Sequence, residues 1–173
     1  KPIIVEGKYD FQYRIPHVPE GNYEIRFGYP RGYYRGVCQF YVDGKIAGIP
    51  VDLRWNNETD IAIGWTSDDG KSNEEIREND KAMRNRGFMK APASIELGAY
   101  DASGPTKSMR FAKRAFRRII GTYDLDYGKN YWLRFKDVTE GGTDDKPNEF
   151  NQDYLEIVPV NILTNPAKPE DIY

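Results

Sequence analysis

Cysteine and histidine are almost missing from this chain. Cys38 is the single cysteine and His17 the single histidine among 173 residues. A lone cysteine excludes an internal disulfide and a Cys-based zinc site, and a lone histidine excludes a His-rich metal centre. Long apolar runs are missing too: none approaches the roughly 20 residues that a membrane-spanning helix needs. Charge of one sign is not in excess. The net charge is −2, so no bulk attraction to nucleic acid is implied. No Gly-x-Ser-x-Gly elbow, phosphate loop or His-Glu-x-x-His occurs, and Cys38 sits in an apolar strand pattern where thiols are usually inert. The reading is therefore a non-catalytic protein.

Tyrosine is plentiful, with thirteen residues against three tryptophans. Its flat apolar face and polar tip serve both a core and a binding surface. The length suits one domain with a real core. The chain begins at Lys1 without Met, which suggests a fragment or a processed form, with any signal or anchor upstream.

Alternation of apolar and polar residues marks strands at 9–15, 23–29 and 36–42. Asp43-Gly44 is a two-residue hairpin signal, and the return strand runs to about Leu53. Residues 54–71 form a polar connection. Ser72-Asn73-Glu74-Glu75 matches a capping box, so a surface helix is predicted near 73–86, with Gly87 able to end it. Strands are predicted again near 93–100, 108–112, 116–123, 130–138 and 152–160. This gives roughly eight or nine short strands and one inserted helix. The predicted fold is all-β: an antiparallel β-sandwich over residues 1–160, followed by an extended tail, 161–173.

Asp153 shares an alternating row with Leu155 and Ile157, which read as core. An acid in such a row needs a hydrogen-bond donor, a cation or an exposed strand end. Structural acid and metal ligand are both open readings. Trp55 and Trp65 lie in the polar connection beside Asn56 and Asp60. Tyr33 and Tyr34 lie in a Gly-flanked turn. Aromatic rings stack on the C–H face of a pyranose, and amides and carboxylates meet its hydroxyls. These residues are either a sugar-binding platform or anchors of the connection onto the sandwich. Trp132 falls in a strand, on either face. Lys107, Arg110, Lys113, Arg114, Arg117 and Arg118 form a basic run. It reads either as a solvated face or as an attractor of anionic glycan or nucleic acid.

Four segments occur in a telling order: TyrAspPheGlnTyrArgIlePro, GluGlyAsnTyrGluIleArgPheGlyTyr, ValCysGlnPheTyrValAspGly and PheAsnGlnAspTyrLeuGluIleValPro. In that order they resemble the galactose-binding-like jelly roll of carbohydrate-binding modules of families six and thirty-five. The chain also resembles, more loosely, accessory domains of fasciclin-type surface lipoproteins of Bacteroidota. The resemblance implies a jelly-roll module, extracellular or on the cell surface, that holds a polysaccharide or other glycan. It implies a ligand cleft that includes the loop before the last strand, where Asn148 and Asn151 stand. It implies a structural calcium held by an early acid, here Glu6, and by the acid opening the last strand, here Asp153. The usual pair of early acids is absent. The other reading is a structural or adhesive sandwich that contacts a neighbouring domain or another protein. Neither reading involves nucleic acid or membrane insertion within this fragment.

Overall fold

The computed structural model describes residues 2–54, 57–93, 109–111, 113, 115–140 and 148–163. Ten strands lie among them: β1 (Ile3–Glu6), β2 (Asp10–Arg14), β3 (Gly21–Pro30), β4 (Val37–Val42), β5 (Lys45–Asp52), β6 (Phe88–Lys90), β7 (Ala115–Leu125), β8 (Trp132–Asp137), β9 (Glu149–Gln152) and β10 (Tyr154–Pro159). Three helices accompany them: α1 (Asn57–Ile63), α2 (Asn73–Arg84) and α3 (Val160–Leu163).

All the strand pairings are antiparallel. One sheet has the order β10-β3-β7-β6, a second β2-β8-β4-β5, and β1 pairs with β9 in a small third sheet. The chain is a mostly β sandwich with a small helical insertion. Its centre is aromatic. Phe27 from the first sheet meets Phe40 and Phe135 from the second, at ring-centroid distances of 5.2 and 5.9 Å. Phe150 of β9 reaches Phe135 at 4.7 Å and is fully buried. Alternation in β3, β4, β8 and β9 sends these rings inward, and the hydrophobic effect holds the two sheets together around them.

The capping box appears as the sequence predicts. The Ser72 hydroxyl accepts from the Glu75 backbone N–H, and the Glu75 carboxylate accepts from the Ser72 N–H at 2.8 Å. Gly87 has a φ of 80°, and its N–H closes onto Arg84 O. Met83 is the buried residue of this helix and joins the core.

Several expectations need correction. The last strand is two strands. β9 pairs with β1 and β10 with β3, and the chain crosses between sheets at Asp153, whose N–H donates to Gly28 O. Asp153 is therefore exposed at the crossing rather than set in a core-facing row, while Leu155 and Ile157 are half-buried against the core. Met109–Phe111 is a 3₁₀ turn, not a strand. The strand expected near 93–100 falls almost wholly outside the described residues. The polar connection contains α1, and α3 extends the fold past residue 160.

The basic run is solvated only in part where it is described: the Lys113 side chain is 43% exposed. Arg110 and Arg117 are each 2% exposed and ion-paired. Nor is the polar row of β3 solvated. Glu24 and Arg26 are buried, and Arg26 pairs with both Glu24 and Glu156. β3 lies between β10 and β7 and is covered on both faces, so its alternation separates aromatic core from buried ion pairs rather than core from water.

Candidate functional site

One end of the sandwich gathers the loop 31–36, the chain leaving β5, and the segments on either side of 141–147. Pro30 ends β3 and the next strand begins at Val37, so six residues must cross between sheets. Backbone bonds hold that crossing at several points. Arg35 N–H donates to Gly32 O at 3.3 Å, forming a turn around Tyr33 and Tyr34. Gly32 bridges to Arg54 and Arg35 to Glu149. Glu149 N–H donates to Tyr34 O at 2.7 Å, and Leu53 N–H to Gly36 O at 3.1 Å.

Side chains reinforce this frame. Arg35 donates to Pro30 O at 3.0 Å and pairs with Glu149. Arg54 grips Asp52 at two points, 2.9 and 2.7 Å. Beneath the loop, Asp137 is 3% exposed. Its carboxylate accepts from Thr139 N–H and Oγ1–H at 2.9 and 2.6 Å, and from the Asn148 amide at 2.6 Å. The Thr139 hydroxyl oxygen in turn accepts from Val37 N–H at 2.7 Å. Gly36 lies against this knot. A Cβ there would come within 2.6 Å of Thr139 Oγ1 and 2.9 Å of Asp137 Oδ1.

On this frame Tyr33 is 71% exposed and Tyr34 57%. Both rings are more than half exposed, on a loop whose backbone is bonded on both sides. Asn148 belongs to the same end, but its side-chain amide nitrogen is committed to Asp137 and its backbone carbonyl oxygen accepts from Gly7 N–H at 2.6 Å. It positions the loops. Asp60 lies under the loop rather than on its rim, bonded to Arg31 at 2.5 Å and Lys113 at 2.8 Å. Burial opposes its ionisation, but the bonds from Lys113 and Arg31 outweigh it and hold its carboxyl below the usual range. Trp65 is half-buried against the core, with the Lys113 ammonium 5.3 Å from its ring centroid. That makes it an anchor of the 64–72 segment. Asn151 stands in β9 opposite Ile4, its Oδ1 buried and accepting no hydrogen bond. Trp55 and Asn56 lie outside the described residues.

The calcium expectation meets a geometric difficulty. Glu6 pairs with Glu149, while Gln152 pairs with Ile3, so Glu6 and Asp153 stand at opposite ends of the β1–β9 ladder. On the order of 13 Å of strand separates them. That spacing does not fit one ion held by both at calcium's short coordination distances. Among the described residues no three His, Cys, Asp or Glu side chains converge as a metal site. Water is nevertheless withdrawn from the Asp153 carboxyl, which is pushed above the usual range, with Arg35 pulling it partly back.

No family model and no curated protein matches the chain.

One feature of the site was hard to find from sequence. Arg35 and Arg54, with their acids Glu149 and Asp52, form the charged rim, and nothing in their local pattern marks them. Trp132, which the sequence leaves on either face of its strand, lies on the outer face of β8 at the other end, 41% exposed, its backbone N–H bonded to Asp43 at 2.9 Å. No helix among the described residues is long and apolar enough to cross a membrane.

Proposed function

We propose that this chain is a non-catalytic glycan-binding module, and that its ligand meets the 31–36 loop end of the sandwich. One observation carries the reading: Tyr33 and Tyr34 are both more than half exposed on a loop held by bonds to the 54 and 149 segments. Ordering a loop on binding costs free energy, and a loop already fixed avoids much of that cost. The tyrosine rings stack on the C–H faces of sugar rings. Arg54 and Asp52, both partly exposed, supply donors and acceptors for hydroxyls at the rim. Trp55 follows Arg54 directly and is the nearest tryptophan in sequence to this rim. The module acts by raising the local concentration of whatever it is joined to, outside the cell or on its surface.

A second reading has one observation in its favour. Trp65 packs on the protein's own core rather than facing solvent, which suits a structural or adhesive sandwich whose exposed tyrosines contact a neighbouring domain. A glycan array separates the two. Binding of a polysaccharide that is lost in Tyr33→Ala and Tyr34→Ala supports the first reading. Absence of binding across plant, host and microbial glycans removes it.

A further inference from the structure

The side chains of Lys90, Asp68, Asp80 and Arg110 come from four separate parts of the chain and meet at one place. Lys90 ends β6, Asp68 lies between α1 and α2, Asp80 is on α2, and Arg110 is in the 3₁₀ turn. The Lys90 and Asp68 side chains are 2% and 4% exposed, and the ammonium nitrogen touches Asp68 Oδ1. Asp80 Oδ1 stands 3.7 Å from the same nitrogen. Arg110 Nε donates to Asp68 Oδ2 at 2.7 Å, and its Nη2 donates to both Asp80 oxygens at 2.8 and 2.6 Å.

Three of these charges, on Lys90, Asp68 and Arg110, are withdrawn from water, which is costly even when they are paired. The set also has the parts of an acyl transfer: a nucleophile, a carboxylate whose Oδ1 it touches, a donor on the far oxygen, and a second carboxylate for protons. We propose that Lys90 and Asp68 condense into an intramolecular isopeptide bond. A proton passes from the ammonium through Asp80 to Asp68 Oδ1, and the amine nitrogen attacks Cγ of the resulting neutral acid. Negative charge gathers on Oδ2, where Arg110 donates. The bond from Cγ to Oδ1 then breaks. Of the three ammonium protons, one remains as the amide N–H, and two leave with Oδ1 as water through Asp80. Nothing is oxidised or reduced, and the net charge of the set stays zero. Two buried charges disappear, and Asp80 keeps its pair with Arg110.

The product would staple the 64–72 segment to the end of β6. Intact-mass spectrometry of the purified wild-type chain tests this directly. The expected mass is about 18 Da below the sequence mass. Tandem spectra of a digest are expected to show a branched peptide joining the segments around 68 and 90. Lys90→Met and Asp68→Ala are expected at full sequence mass. So is Asp80→Asn, which leaves Lys90 and Asp68 in place and so guards against a variant that merely misfolds. A wild-type mass equal to the sequence mass overturns the proposal. So does a deficit that survives Lys90→Met, because dehydration at Asp43-Gly44 or Asp69-Gly70 would give the same loss. A deficit in Asp80→Asn equal to that of wild type overturns it as well, because the assigned proton acceptor would be idle.

Discussion

The Asn148 amide donates to the Asp137 carboxylate across 2.6 Å, and that bond ties the end of β8 to the residue before β9. Asp137 also holds Thr139, whose hydroxyl holds Val37. One buried acid thus sets the positions of three segments beneath the tyrosine loop. Replacing Asp137 with Ala leaves three half-buried donors without their acceptor. The expected loss is about 2–4 kcal/mol of folding stability. Chemical denaturation measures it, and a loss below half a kcal/mol, roughly the scatter of surface substitutions, would show that the knot is ornamental.

Gly28 is fixed by its neighbour. It pairs with Tyr154 across the β3–β10 ladder, and an added Cβ would sit 2.2–2.5 Å from that ring. Gly28→Ala therefore overpacks the sheet and is expected to cost about 1–3 kcal/mol. Shortening the ring partner in a Gly28→Ala/Tyr154→Val pair is expected to recover part of the loss. Thermal melts of the two variants test the coupling, and equal melts would deny it.

The strands were largely legible from sequence because alternation reports a buried face directly. β2, β4 and β8 follow it, and Ser72 and Glu75 announced α2 by their own side chains. What local pattern cannot report is what covers the second face. Glu24 and Arg26 look like a solvated row, yet other chain segments bury them, and distant acids and arginines neutralise them. Arg117 in the basic run hides for the same reason. The division at Asp153 was equally illegible, since a strand that changes sheets keeps its apolar composition. The exposed tyrosines could be named from a Gly-flanked turn. The bonds that make their loop a fixed platform come from Arg54 and Glu149, which are far away in sequence.

Asp153 gives a pH signature. Its carboxyl is pushed above the ordinary range in the fold, so the folded state holds its proton more tightly than the unfolded chain. Its contribution is fully present below the unfolded value, about 3.9, and is lost as pH rises through the raised folded value. At neutral pH the ionised carboxylate is therefore a burden. Asp153→Asn is expected to melt slightly higher than wild type at pH 7 and to show no advantage near pH 3. If the acid held calcium instead, the substitution would lower the melting temperature in calcium and have no effect in EDTA.

Asp60 has the opposite sign. Its carboxyl is held below the usual range by Lys113 and Arg31 against the pull of burial. Its contribution is present above the unfolded value and is lost as pH falls through the depressed folded value. Acid titration of stability in wild type and Asp60→Asn is expected to give curves that converge at low pH. Curves that stay parallel down to pH 2 would mean that Asp60 carries no such charge coupling.

Titration of a bound glycan against wild type, Tyr33→Ala and Tyr34→Ala tests the functional reading most directly. Each ring is expected to carry about 1 kcal/mol of stacking, so each variant weakens binding roughly five-fold while melting as wild type does. Unchanged affinity in both variants would contradict the account, and so would weakening that merely tracks a loss of fold.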